Sequence, residues 1–393
     1  MTSLPRRLVF ATAALAGTLA GALLVPKVIG PAGSSTDPAA GIAVTSDQQA
    51  EQGHGAVDVE GTTASTSPAT SAPATTVTTA VATETSTTAP VSTVTSSTAP
   101  PPTSPPPLPH PFEPAPNESQ LDAKRSGAAV AYTLTNYGAD WSSTELAAAV
   151  TLDPQRARAL GDLLGEVHQP GMWSRGTIEY AQLGGYTGSA ISIMVVVRQD
   201  LGSPGSHEVQ RSEKRTMDVR LVKNALGEWQ FERLASAGGH PVARPADLSP
   251  LAASVVDDER IDLPDSARWD IYSGHTDEAL LRFMADLAEL SPYKVVVLHT
   301  GHPHNVFGTD RLSNHTVGRA VDIYEIDSVR VIDAHDRSSW IYLLSDHLVM
   351  RSDIREYGSP WLFDGAVASN FTNEVHHDHI HVGVNPGPES SDG

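Results

Sequence analysis

The chain contains no cysteine among its 393 residues. This absence excludes a disulfide framework, a thiol nucleophile, an iron–sulfur cluster and a metal site built from thiolates. A bound metal ion would have to rest on histidine, aspartate or glutamate, and the 16 histidines of the chain supply such ligands.

Positive charge is also scarce, because 26 Lys and Arg stand against 46 Asp and Glu and leave a formal net charge of −20. Surfaces that bind nucleic acid are basic, and so are the polybasic patches that hold anionic lipid headgroups. We therefore expect no nucleic-acid partner and no electrostatic attachment to a membrane.

The N-terminus carries an apolar stretch, residues 8–25, directly after Arg6 and Arg7. Positive charge before such a stretch is typical of a signal sequence. Its length lies between that of a cleaved signal and the roughly 17–25 residues of a spanning helix. For residues 1–30 we favour an uncleaved signal anchor with both arginines on the cytoplasmic side, and cleavage near residues 30–34 is the alternative. Either outcome places the rest of the chain outside the cytoplasm, in a bacterial cell envelope.

Residues 61–107 consist almost wholly of Thr, Ser, Pro, Ala and Val. Such a composition cannot bury enough apolar surface to fold, and its prolines keep the backbone extended. We predict that residues 31–118 form a disordered stalk, either O-glycosylated or a plain spacer.

Folded sequence is predicted from residue 119 onward, in two parts of the α+β class. In the first part, 119–240, three helical segments (128–137, 143–150 and 154–167) come before four strand-like segments (176–183, 190–198, 208–223 and 229–235). Helices followed by antiparallel strands make a small α+β domain. This order resembles that of nuclear transport factor 2-like domains.

A proline-containing linker, 241–254, leads to the second part, 255–386, which is followed by a short tail, 387–393. The second part has helical periodicity at 277–290 and 338–350 and strand-like runs at 293–299, 318–324 and 379–384. It is predicted to be a mixed unit of helices and strands.

Two segments of the second part carry residues suited to chemistry: "SNHTVGRAVDIYEID" at 313–327 and "NEVHHDHIHVGV" at 373–384. Gly318 permits a turn between His315 and Asp322, so that a loop histidine and a strand aspartate can converge. On a strand, His379 and His381 would point to the same side. Two imidazoles and a carboxylate, with a fourth position left for water, form the geometry of catalytic zinc.

The pattern Ser313-x-His315-x-x-Gly318-x-Ala320-x-Asp322, followed by Asp378-x-x-His381, resembles the M15-type zinc peptidases, with the hedgehog/DD-peptidase fold. These include D-Ala-D-Ala carboxypeptidases and dipeptidases and L-alanyl-D-glutamate endopeptidases. The His379-x-His381 pair is similar to that of the lysostaphin and penicillin-insensitive murein endopeptidase branches.

The resemblance implies Zn²⁺ as cofactor, held by His315, Asp322 and His381, and peptidoglycan peptides as substrate. It further implies that Asp378 is the general base and that His379 lies near the oxyanion.

One departure concerns the substrate carboxylate. The family has an arginine after the strand that precedes the first motif, whereas this chain has His302 in that segment and no arginine before Arg311. We interpret His302, Arg311 and Ser313 as substrate-binding candidates. An internal peptide cross-link becomes a better expected substrate than a free C-terminal D-Ala, since an arginine fork suits a planar carboxylate.

Other interpretations stay open at the level of sequence. Glu374 and His377 repeat the spacing of Asp378 and His381 and compete for the same roles, and the histidine-rich tract 376–381 also fits adventitious metal binding. A catalytically degenerate module that binds cell wall or a partner through the same fold is the alternative to an enzyme.

Overall fold

The computed structural model describes residues 104–387, which contain both helices and β-sheets, so the α+β class is confirmed. The predicted signal segment, most of the predicted stalk and the end of the tail lie outside the described residues. Within the described part of the chain, no helix has the length and apolar character needed to cross a bilayer.

The first half begins with α1 (Leu121–Thr135), α2 (Ser143–Val150) and α3 (Pro154–Leu163). An antiparallel sheet follows in the order β1 (Trp173–Tyr186), β2 (Ala190–Gly202), β3 (Arg211–Lys223) and β4 (Trp229–Ser236). The three predicted helices and four predicted strands are therefore confirmed. A capping box begins α2, because the Ser142 hydroxyl accepts from the Glu145 amide and the Glu145 carboxylate accepts from the Ser142 amide.

The second half is built on one larger sheet. Its helices are α4 (Pro250–Val256), α5 (Asp265–Tyr272), α6 (Glu278–Leu290) and α7 (Trp340–Leu348). Its strands are β5 (Ile261–Asp262), β6 (Tyr293–Val297), β7 (Ala320–Ile326), β8 (Val329–Arg330), β9 (Ile354–Gly358), β10 (Ser369–Phe371) and β11 (Ile380–Val384). The order across the sheet is β10-β9-β11-β7-β6-β5, with β8 paired to β7. The apolar face of α6 lies in the core, where Phe283, Met284 and Leu287 are buried.

Helix α4 occupies part of the segment 241–254, which was predicted to be a linker. Ser249 caps this helix and Pro250 stands at its first position, where a missing amide hydrogen is harmless. Val255 and Val256 are buried in the core of the second half. Pro250 of this segment therefore begins a helix.

The two halves pack against each other within one compact unit. Tyr180 of β1 stacks on Tyr324 of β7 with ring centroids 4.7 Å apart. Val296 and Val297 of β6 join the same buried cluster, and the Val296 carbonyl accepts a hydrogen bond of 2.5 Å from the hydroxyl of Thr216 on β3. Residues 119–240 are therefore in direct contact with the sheet that carries the metal-site motifs.

Residues 104–118 differ from the predicted stalk, because they lie against the folded unit. The carbonyl of Pro106 accepts from Arg175 at 2.6 Å, and that of Pro109 accepts from Tyr132 at 2.8 Å. Asn117 donates to the Ile332 carbonyl of the second half at 2.8 Å. Hydrogen bonds to main-chain carbonyls hold this proline-rich segment without regular secondary structure.

Candidate metal centre

The three side chains expected to bind a metal meet at one point. Asp322 on β7 and His381 on β11 are directly opposite each other in an antiparallel pair, so they project from the same face. His315 reaches them from the preceding loop, which turns at Gly318 with φ 70°. His315 Nε2 lies 3.2 Å from Asp322 Oδ1 and 3.2 Å from His381 Nδ1, and the last two atoms are 2.9 Å apart.

Neighbouring groups determine which nitrogen of each imidazole faces this point. His315 Nδ1 is 2.5 Å from the carbonyl oxygen of Leu298, which can only accept, so Nδ1 carries the proton and Nε2 presents a lone pair. His381 Nε2 is 3.0 Å from Glu356 Oε1 and donates to that carboxylate. The Nδ1 atom of His381 is thereby directed at Asp322.

An ionised carboxylate and a protonated histidine share the centre. Burial would raise the pKa of Asp322, but His315 and His379 hold it well below its ordinary value, so the carboxylate is ionised. Burial would lower the pKa of His381, yet its hydrogen bonds to Asp322 and Glu356 raise the pKa to about 9. The metal-free protein therefore keeps a proton on His381 at the place where a metal ion would supply the positive charge.

The spacing of the three donor atoms suits a small divalent ion. Tetrahedral zinc with bonds of about 2.0–2.1 Å places its ligand atoms about 3.3 Å apart, close to the separations seen here. His315 and Asp322 are buried, with exposed fractions of 0% and 1%. His315 and Asp322, together with the adjacent His302, could hold a metal ion.

His302, expected to bind substrate, lies beside the metal ligands. Its ring stacks on that of His315 with centroids 3.8 Å apart, and its Nδ1 is 2.7 Å from the Pro303 carbonyl. His302, His315 and Asp322 each offer one ligand atom within 4.8 Å of the others. Burial and the neighbouring His315 lower the pKa of His302 well below its ordinary value, so it is neutral and available as a further ligand.

Asp378, expected to be the general base, is placed behind His379 and does not line the cavity beside the ligands. Its carboxylate forms a salt bridge with the buried Lys124 of α1, and the same oxygen accepts from the Leu183 amide at 3.2 Å. The other oxygen is 2.6 Å from His379 Nδ1. Burial would raise the pKa of Asp378, but Lys124 and His379 lower it to about 2.

His379 itself points towards the centre, as expected from its spacing to His381. Its Nε2 is 3.8 Å from Asp322 Oδ2, and its Nδ1 is bound by Asp378. An aspartate on one nitrogen orients the imidazole and selects its tautomer. His379 therefore faces the centre through Nε2, and Asp378 contacts it from behind through Nδ1.

Two residues that complete the centre gave no signal in the sequence. Gln182 of β1 donates to Asp322 Oδ2 at 2.7 Å and fixes the carboxylate from the first half of the chain. Glu356 of β9 binds His381 and accepts from Asn314 at 2.6 Å. Burial would raise the pKa of Glu356, but these hydrogen bonds lower it to about 2. Such partners of metal ligands set ligand orientation and basicity.

A cavity of about 580 Å³ opens beside the centre, between the two halves of the chain. Its lining includes His302, His379 and His381 on one side and residues 183–186 of β1 on the other. A volume of this order suits a small ligand or a short stretch of peptide.

The remaining predicted residues have different positions around the cavity. Arg311 lines it with a side chain that is 65% exposed and lies 4.0 Å from Glu356. Ser313 is buried, and its hydroxyl accepts from the His315 amide at 3.3 Å, so it also holds the ligand loop. Glu374 lines the cavity, but the ring of its spacing partner His377 packs on His335, 4.7 Å away between centroids.

The chain matches no family model, no curated protein and no solved structure.

Proposed function

We propose that this protein is an extracytoplasmic zinc metallopeptidase that cleaves peptide bonds in peptidoglycan stem peptides or cross-links. In this proposal the chain is attached to the membrane by its N-terminal apolar segment. The second half takes the M15-like role suggested by the motifs, and the first half is a nuclear transport factor 2-like unit that completes the active site.

The observation that carries the proposal is the convergence of His315, Asp322 and His381. Their donor atoms lie 2.9–3.2 Å apart, and the outward nitrogen of each imidazole is bound to a fixed acceptor. Two nitrogens and one carboxylate oxygen are the ligand type of catalytic zinc, whereas Mg²⁺ and Ca²⁺ favour oxygen alone. The incomplete ligand set leaves room for water and substrate.

Zinc, when bound, would polarise the scissile carbonyl and lower the pKa of a water molecule. His379 accepts a proton at Nε2 and returns it to the leaving amine, while Asp378 holds its Nδ1. His302 and His376, both lining the cavity, are neutral because burial lowers the pKa of each. The Nδ1 atoms of His302 and His376 donate to the Pro303 carbonyl and to Asn373 Oδ1, so each neutral ring presents an Nε2 lone pair that can accept a hydrogen bond from a substrate amide.

The cavity wall supports a peptide as substrate. Tyr186, Phe307 and Phe371 give it aromatic surface, and Arg311 offers a cation at the mouth. A stem peptide combines small apolar side chains with carboxylates. The apolar side chains could pack on the aromatic surface, and a carboxylate could pair with Arg311. The guanidinium of Arg311 is exposed, so it is not a buried, bidentate binding group for the carboxylate of a C-terminal residue. Cleavage of an internal peptide bond is therefore favoured over removal of a C-terminal residue.

The test is digestion of purified muropeptides by the full-length protein loaded with Zn²⁺, followed by mass spectrometry. We expect new peptide termini, loss of cleavage after chelation and its recovery on adding zinc. His379→Ala should keep the metal and lose about 10²–10⁴-fold in rate, because it removes the proton-transfer group. His347→Ala, at an exposed position on α7, is the matched control.

Stoichiometric zinc with no cleavage of any muropeptide would contradict the peptidase. The same fold would then be a binding module, and sedimentation with insoluble peptidoglycan would measure that activity directly. Absence of zinc from the wild-type protein after loading would contradict both.

A further inference from the structure

We propose that Asp270, His275 and His299 form a second metal site, for a divalent ion of the zinc type, behind the first centre. It uses none of the residues of the first centre and does not depend on the peptidase proposal.

The three residues come together from two elements. Asp270 belongs to α5, His275 follows that helix, and His299 follows β6. One ligand atom from each lies within 4.8 Å of the others. Asp270 is buried with 2% of its surface exposed, His299 is partly buried, and His275 is exposed, so an ion can enter from solvent.

The strongest sign of a missing partner is Nδ1 of His299. This atom is buried and makes no hydrogen bond among the described residues, and it lies 3.7 Å from Asp270 Oδ1, a distance that allows an ion pair but is too long for a hydrogen bond. The hydroxyl of Thr276, next to His275 in the chain, is likewise buried without a partner. A buried polar atom left unpaired is destabilising, and a metal ion between His299 and Asp270 would satisfy the nitrogen.

The other two ligands are already oriented. His275 Nδ1 is 2.9 Å from the Ser273 hydroxyl, which leaves Nε2 as its ligand atom. Asp270 Oδ2 accepts from the amides of His299 and Thr300 at 3.0 and 2.8 Å, and Oδ1 accepts from the Thr300 hydroxyl at 2.5 Å. A carboxylate has about four lone-pair positions, so Oδ1 retains one for an ion. Two imidazole nitrogens and a carboxylate oxygen select zinc-type ions over Mg²⁺ or Ca²⁺.

The position of this cluster links it to the first centre. His299 follows Leu298, whose carbonyl fixes the His315 tautomer. A Cβ atom on Gly318 would lie 1.9 Å from the His275 carbonyl oxygen, so the ligand loop turns directly on that backbone. A metal ion held by His275 and His299 would therefore brace the two segments between which the loop of His315 is seated.

The experiment counts zinc on the full-length protein. Metal-free protein is loaded with ZnCl₂, desalted and analysed for metal by mass spectrometry, with circular dichroism as the check on folding. We expect about two equivalents in the wild type, and about one in His275→Ala, in His299→Ala and in His315→Ala. His347→Ala, an exposed histidine outside both clusters, should retain both ions. His275 is exposed, so its replacement tests the site without disturbing the core.

Each result distinguishes the two sites. About one equivalent in the wild type that is unchanged in His275→Ala overturns the second site and leaves the first. One equivalent that is lost in His275→Ala but kept in His315→Ala supports the second site and contradicts the metal centre of the proposed peptidase. Two equivalents that persist in both His275→Ala and His299→Ala overturn the second site.

Discussion

His381 lies between two carboxylates, with Asp322 at 2.9 Å from Nδ1 and Glu356 at 3.0 Å from Nε2. In the metal-free protein these acceptors raise the pKa of His381 to about 9. A metal ion that binds Nδ1 has to displace the proton, so proton and metal compete for one atom. The protonation of His381 therefore contributes directly to how the centre responds to pH.

We predict that zinc affinity rises by up to about tenfold for each pH unit between pH 6 and pH 9 and levels off above that, because His381 loses its proton there. Competition with a chelator of known affinity, measured at each pH, checks this. The stability of the metal-free protein should change in the opposite sense. The pKa of His381 in the folded protein, about 9, lies above its ordinary value of 6.5, so protonated His381 stabilises the folded state. This contribution to the free energy of unfolding is complete below pH 6.5 and is lost as the pH rises through about 9. A zinc affinity that is flat across this range would contradict the assignment of His381 as ligand.

Gln182 provides a second test at this scale. Gln182→Ala removes the donor to Asp322 Oδ2, and we expect zinc affinity to fall by about 10–100-fold, the usual effect of losing a partner of a metal ligand. Titration calorimetry with ZnCl₂ measures the change.

Gln199→Ala is the matched control. Gln199 is a buried glutamine of the neighbouring strand β2, and it donates to the Val167 carbonyl at 2.7 Å, away from the centre. Its replacement should lower stability and leave zinc affinity unchanged. Equal losses of affinity in the two variants would show that Gln182 acts only through the fold.

At the scale of elements, strand β1 is both the edge of the first sheet and a wall of the cavity. Gly185 on this strand has no side chain, and the Phe307 ring of the facing loop fills the space next to it. A Cβ atom at Gly185 would lie 2.2 Å from the Cβ of Phe307. Close approach of strand and loop therefore depends on this glycine.

We predict that Gly185→Ala displaces the Phe307 loop and destabilises the protein by about 1–3 kcal/mol, the usual effect of overpacking. Cleavage should fall in parallel, since the loop continues into the segment that holds His302 and His315. Urea unfolding and the muropeptide assay measure the two effects. Gly165→Ala is the control, because a Cβ there has no neighbour within 4 Å, and its effect should stay within about 0.5 kcal/mol. Equal stability of both variants would contradict the close contact.

At the scale of the whole molecule, a buried ion pair joins the first helix to the end of the chain. Lys124 of α1 is fully buried and binds both Glu118 and Asp378, whose side chains are fully buried as well. Because Asp378 holds His379, this contact connects the packing of the two halves to the geometry of the centre. The first half is thus part of the site.

Lys124→Met should destabilise the protein by about 3–5 kcal/mol, because it leaves two buried carboxylates without their cation. Urea unfolding monitored by tryptophan fluorescence measures this loss. The neighbouring Arg125, with a side chain that is 46% exposed, forms only surface ion pairs, so Arg125→Met should cost no more than about 1 kcal/mol. Recovery of stability in Lys124→Met combined with Asp378→Asn would support the charge explanation, and similar stability of the two single variants would contradict it.

Much of the local structure could be predicted from the sequence. The helices of the first half, the apolar face of α6 and the strands of both motifs follow from periodicity and capping, which are properties of neighbouring residues. Helix α5 and strands β9 and β10 were not predicted. Strand β9 carries Glu356, and no periodic pattern distinguishes its five residues from a loop.

The approach of His315 to Asp322 followed from spacing within one short segment, because a glycine turn and strand alternation act locally, whereas His381 as the third ligand was implied by the resemblance of the motifs to the M15-type peptidases. Only the tertiary structure decided what surrounds them: Gln182 meets Asp322 across 140 residues of sequence, and Lys124 meets Asp378 across 254. Such contacts depend on how two independently formed sheets pack, and no pattern within either segment encodes that packing. For this reason the sequence alone determined most of the elements and the three ligand candidates, whereas the packing of the halves decided that Asp378 lies between Lys124 and His379 and that the first half forms a wall of the cavity.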